Sequence, residues 1–119
     1  MPHLDGPMFH PTISTISLGS QTVINFYKPA EDDTDSMVFD DRLVTSLLVK
    51  PRSLLVLKHD MYHKYLHGID EVHEDVLSDK ICNLTNCDDI GSTISRSKRI
   101  SLTIRHVPKT SKMKLRLGK

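Results

Sequence analysis

Two imidazoles, one carboxylate and two guanidiniums are the groups in this chain best placed to do chemistry together. They are His3 and Asp5 in His3-Leu4-Asp5, His67 in Tyr65-Leu66-His67-Gly68-Ile69, and Arg99 and Arg105 in Arg99-Ile100-Ser101-Leu102-Thr103-Ile104-Arg105. A strand puts residues i and i+2 on one face, so His3 and Asp5 can grip one ion while His67 comes from a second strand returning beside the first. Two histidines and one carboxylate on one side of a metal leave the opposite positions open, and non-haem Fe(II) sites use this donor set. The arginines then suit an acidic co-substrate, because a guanidinium pairs bidentately with a carboxylate and stays charged. They lie six residues apart, roughly 20 Å along an extended strand, but both side chains are long enough to lean toward each other.

Each signal is weak when taken singly. A His-x-Asp pair arises often by chance, and two arginines on an edge strand are ordinarily solvated. Their order is what strengthens them: the pair opens an all-β region, the second histidine follows on a later strand, and both arginines share one face of the last strand. A competing set is His59, His63 and His67, whose spacing of four would stack them on one face of a helix and suit zinc. Pro51, the β-like run after it and Gly68 leave too little periodic sequence for that helix, so His59 and His63 read as turn residues. Cys82 and Cys87 have no second cysteine pair with which to complete a zinc site, and a reducing compartment disfavours a disulfide between them.

The elements that must position these groups are short strands. Pro11 to Ser17 is rich in β-branched residues and closes at Gly19-Ser20, and Thr22 to Tyr27 resumes as a second strand. The break from Leu18 to Gln21 is short enough for a hairpin, which predicts that the two are antiparallel neighbours. Val44 to Val49 and Leu54 to Leu57 flank Lys50-Pro51-Arg52-Ser53 and read as a buried hairpin. His59 to Lys64 is expected to be a turn or a single helical turn leading into the strand of His67. Residues 30–42 form an acidic loop, 70–97 a polar insertion with a short helix near Glu71 to Leu77, and 109–119 a basic tail. Arg99 to Val107 finishes the sheet, with Ile100, Leu102 and Ile104 on one face and Arg99, Ser101, Thr103 and Arg105 on the other. Several short strands and no long amphipathic helix predict an all-β sandwich or jelly roll.

The net charge is only +1, yet Arg96 to Lys119 holds nine of the sixteen basic residues and no carboxylate. Such a patch can draw in nucleic acid, although an exposed solvated tail has the same composition. No stretch approaches the roughly 20 apolar residues of a membrane helix, and Met1-Pro2-His3 opens no secretory signal, so the expected setting is inside the cell, in cytoplasm and nucleus, with no membrane partner. Asn83-Leu84-Thr85 matches a glycosylation acceptor by composition alone.

The succession of His3-Leu4-Asp5, Pro11-Thr12-Ile13-Ser14-Thr15-Ile16-Ser17-Leu18-Gly19, Tyr65-Leu66-His67-Gly68-Ile69 and Arg99 to Arg105 resembles the AlkB family of Fe(II)- and 2-oxoglutarate-dependent dioxygenases. Pro2 to Tyr27, Ser46 to Leu57 and the closing Leu117-Gly118-Lys119 point to one branch of it. The resemblance implies a double-stranded β-helix, with His3, Asp5 and His67 as Fe(II) ligands and 2-oxoglutarate and O2 as co-substrates. Arg99 would pair with the distal carboxylate, and Arg105 would lie by the metal-proximal carboxylate and Asp5. The implied activity is oxidative demethylation of alkylated nucleic acid or a related N-alkyl substrate. Because the first ligand stands at position 3, residues 1–119 are expected to be the C-terminal part of such a domain, without its upstream half. The alternative expectation is a catalytically inactive truncated isoform or fragment that binds nucleic acid or protein.

Overall fold

A computed structural model describes residues 2–3, 12–29 and 39–105. Among these residues eight strands run in the order β1 (Thr12–Gly19), β2 (Thr22–Tyr27), β3 (Leu43–Val49), β4 (Ser53–Lys58), β5 (Leu66–Gly68), β6 (Glu74–Val76), β7 (Thr93–Ser95) and β8 (Arg99–Arg105). A 3-10 turn at Phe39–Arg42 precedes β3, and the single α-helical turn α1 (Asp60–His63) separates β4 from β5, as expected for that stretch. One sheet has the order β4-β1-β8, a second β3-β2-β5, and β6 pairs with β7 as a separate ribbon.

The strand segments match the sequence pattern, but two of the expected pairings do not form. β1 and β2 lie in different sheets, and so do β3 and β4. The pairs that do form are β2 with β3, from Thr22↔Val49 to Tyr27↔Leu43, and β1 with β4, from Ser17↔Ser53 to Thr12↔Lys58. A single antiparallel ribbon therefore runs through both sheets and bends at Gly19-Ser20 on one strand and Lys50-Pro51-Arg52 on the other. Gly19 takes φ +85° at the first bend, and a Cβ there would stand 2.3 Å from the Lys98 carbonyl oxygen. The Ser20 N–H donates to that same oxygen at 3.0 Å. At the second bend Arg52 takes φ 64°, and its N–H donates to the Ser17 carbonyl at 2.6 Å. Both corners are thus tied to backbone outside them, and the second is also closed by Ser53 Oγ donating to the Lys50 carbonyl at 2.6 Å. Gly19→Ala meets both the wrong φ and a backbone clash, and is expected to destabilise by more than about 1 kcal/mol, read as a lower urea midpoint.

This bent ribbon makes the molecule a mainly β, jelly-roll-like fold. Its two sheets share a core of Ile24, Phe26, Val49 and Leu57, with Leu47, Leu55 and Met61 packed against it. Alternation along β2 sends Ile24 and Phe26 inward, and along β4 it buries Leu57 while Leu54 and Val56 face outward. Residues 70–97 pack on the outer side of the other sheet, where Leu77 and Ile81 meet Leu48. The Asn83 side chain accepts from the Leu48 N–H and donates to the Leu48 carbonyl, both at 2.8 Å, so it completes the edge of β3 as a strand's peptide group would. The helix expected near Glu71 to Leu77 is instead β6. There the buried Asp75 carboxylate accepts a two-pronged pair from Arg96, with Nε at 2.9 Å and Nη2 at 2.6 Å, across the ribbon formed with β7. That long-range ion pair and ladder outweigh the weak local helical tendency. Among the described residues no helix is long and apolar enough to cross a membrane.

Candidate metal and anion site

His67 lies at the centre of β5, where Phe26 is its partner on β2. On its other side Pro2-His3 runs antiparallel: the His3 N–H donates to the His67 carbonyl at 2.9 Å, and the His67 N–H donates to the His3 carbonyl at 3.0 Å. Residues paired directly in this way project side chains to the same face. The two imidazoles accordingly converge, with ring centroids 4.6 Å apart and planes tilted by 53°. Gly68 permits the approach, since a Cβ there would stand 3.0 Å from Pro2 Cα and 3.1 Å from Pro2 N. Gly68→Val should push the Pro2-His3 segment away and separate the two imidazoles, read as lost hydrogen-exchange protection of the His3 and His67 amides.

The histidine pair opens on a cavity of about 380 Å³ between the sheets, and the inward face of β8 lines the same cavity through Arg99, Ser101, Thr103 and Arg105. The period-2 reading of β8 therefore holds. Its polar face points inward, while Ile100, Leu102 and Ile104 are about half exposed on the outer side of the sheet. Arg99 enters opposite Gly19 and Arg105 opposite Ile13, so the two arginines mark the two ends of the strand. Arg99 Nη2 donates to Ser17 Oγ at 2.8 Å, and among the described residues its buried Nε has no partner. Burial, and secondarily the like charge of Arg96, hold the Arg99 pKa below its ordinary value. A half-buried guanidinium with spare donor capacity and no carboxylate partner among the described residues is electrostatically suited to an incoming anion.

Of the expected metal ligands the structure brings His3 and His67 together, whereas Asp5 lies outside the described residues, as do positions 30–38 of the acidic loop and the basic tail 109–119. Among the described residues no three His, Cys, Asp or Glu side chains form a cluster able to hold a metal. The competing zinc set has no common helix, because α1 ends at His63 and His67 is on a strand. His59 and His63 are exposed, and Cys82 and Cys87 are exposed free thiols. Sequence reasoning missed Ser17. The burial of Ile13 sets the parity that places Thr15 and Ser17 on the inner face of β1, a parity the sequence of β1 does not reveal by itself.

No family model matches the chain. It is 50% identical over 123 aligned positions to the zebrafish protein described as probable RNA/DNA demethylase ALKBH6, a match that covers all of this chain and 52% of the relative. An uncharacterised protein of Acanthamoeba polyphaga mimivirus, L905, is 28% identical over 109 positions, covering 91% of this chain and 42% of that protein. The chain spans about half the length of the curated relatives it matches. With half of its positions identical to ALKBH6 along its whole length, on a mainly β jelly-roll-like fold, the chain belongs to the AlkB-like family.

Proposed function

We propose that this chain carries the metal- and co-substrate-binding part of an Fe(II)- and 2-oxoglutarate-dependent dioxygenase that demethylates alkylated nucleic acid. The observation that carries the reading is the shared cavity, with His3 and His67 converging at one wall and Arg99 unpaired by any described carboxylate on another. Two nitrogen donors held by a main-chain bridge fit Fe(II), and Asp5, two residues from His3, is the carboxylate that would complete the set. Bound Fe(II) would supply the activation of O2 that couples 2-oxoglutarate breakdown to oxidation of an N-methyl group. The protein's own part is positional. His3 and His67 would ligate the metal through imidazoles that a pair of backbone hydrogen bonds holds side by side, Arg99 would take the distal carboxylate, and Ile24, Leu55 and Leu57 would keep that side of the cavity apolar. Arg105, on the same face of β8, would lie by the metal-proximal carboxylate and Asp5.

The name of the zebrafish relative supports nucleic acid as the substrate class. Lys109, Lys112, Lys114 and Arg116 would contact phosphates to position the strand, while the base itself is turned out into the cavity. Such a protein would work in cytoplasm and nucleus. The test is Fe(II)-dependent formation of succinate and formaldehyde on methylated oligonucleotides, with binding that weakens steeply as salt rises. The nine Lys and Arg without a carboxylate between Arg96 and Lys119 support one second reading, a non-catalytic module of this fold that binds nucleic acid or protein. Salt-sensitive oligonucleotide binding without any succinate would decide for it.

A further inference from the structure

Ser17 is fully buried on the inner face of β1. A hydroxyl there is costly unless it is bonded, and the bond it makes is to the Arg99 guanidinium, with Nη2 donating to Oγ at 2.8 Å. In the register Ser17 stands opposite Ser101 and Arg99 opposite Gly19, so this contact runs diagonally across the ladder. The serine is itself anchored by the second corner, where the Arg52 N–H donates to its carbonyl at 2.6 Å. The first corner holds the chain on the other side of Arg99: the Ser20 N–H donates to the Lys98 carbonyl at 3.0 Å, the Ser97 N–H donates to Ser20 Oγ at 2.9 Å, and Gly19 packs on the Lys98 carbonyl. Main chain and side chain of the arginine are thus both held by the two bends of the ribbon. Its Nε is buried and has no hydrogen-bond partner among the described residues.

We propose that Ser17 is the positioning residue that aims the Arg99 guanidinium at the far carboxylate of a dicarboxylic keto acid, so that the corners of the fold set which acids the cavity prefers. This rests on the reading of Arg99 as the distal-carboxylate anchor. Removing the hydroxyl leaves Nη2 without its acceptor and frees the side chain to sample other rotamers, which a ligand must then immobilise. Ser17 lies behind Arg99 and does not line the cavity, so the metal-proximal end of the ligand is untouched.

The test is anaerobic titration of the Fe(II)-loaded chain with 2-oxoglutarate and with 2-oxobutanoate, which has the same keto acid end but no distal carboxylate. Ser17→Ala is expected to weaken 2-oxoglutarate about tenfold while 2-oxobutanoate binds as before, the unchanged monoacid also reporting an intact fold. Arg99→Met separates the two claims. If Arg99→Met removes the preference for the diacid and Ser17→Ala keeps it, the role of Ser17 is overturned and the anchor stands. If wild type shows no preference, or Arg99→Met retains one, the anchor reading fails and takes the Ser17 proposal with it. Equal weakening of both acids in Ser17→Ala also overturns the proposal, since that is what general loss of structure would produce.

Discussion

His67→Ala is expected to abolish Fe(II)-dependent conversion of 2-oxoglutarate to succinate and to lower Fe(II) affinity by more than about a hundredfold, with the fold preserved. The two halves of this expectation have separate physical grounds. His3 and residue 67 are joined by main-chain hydrogen bonds at 2.9 and 3.0 Å, and β5 is joined to β2 through its backbone, so the strands stay paired whatever side chain occupies position 67. Only the imidazole is lost, and with it one of two convergent nitrogen donors. The remaining His3 would then hold a metal with Asp5 alone, a pair too few to exclude water and fix an open face. Anaerobic metal titration and succinate assays measure the two effects. Undiminished succinate in His67→Ala would sink the assignment of this residue as a ligand, whatever the fold.

The second large effect is on stability. Phe26 has no solvent exposure and packs with Ile24, Val49 and Leu57 between the sheets. Phe26→Ala removes a whole ring from this small core and leaves a cavity that the two sheets can fill only by moving together, at a cost of about 3–5 kcal/mol. Domains of this size are stable by roughly 5–15 kcal/mol, so the variant is expected to be largely unfolded on mild heating. The ring also stands beside the site: its centroid is 6.4 Å from that of His67, and the two residues pair across β2 and β5. Urea unfolding should show a much lower midpoint at unchanged slope, and a loss below about 1 kcal/mol would mean that the core is not organised around this residue.

Much of this was legible in the sequence, and the parts that were not share a cause. The strands of Thr22 to Tyr27 and Arg99 to Arg105, the single helical turn before Tyr65, and the two faces of β8 follow from local alternation, which the structure keeps. The pairing of the strands does not follow. Leu18 to Gln21 has the length of a hairpin turn, and nothing within it reveals that Gly19 will pack against the Lys98 carbonyl, 79 positions away, and carry the chain into the opposite sheet. The same holds at Lys50 to Ser53, where the Arg52 N–H finds Ser17. The ribbon at Glu74–Val76 likewise depends on Arg96 reaching Asp75, a contact that local propensity does not contain. At the site, His3, His67 and Arg99 could be named from the order of their motifs along the chain and the resemblance that order carries, and the structure brings all three to one cavity. Ser17 could not, because a serine in a β-branched run is unremarkable until the register sets it beside a buried guanidinium.

A metal held by His3 and His67 with an open face for a keto acid, as proposed, would reveal itself when the keto acid chelates it. The most direct measurement is the visible absorption of the chain after anaerobic addition of Fe(II) and then 2-oxoglutarate. A charge-transfer band that appears only with both present, and is absent in His67→Ala, is the predicted result. No band in wild type, with Fe(II) and 2-oxoglutarate both in excess, would contradict the claim and leave this chain as a fold of the AlkB-like family without a working metal site.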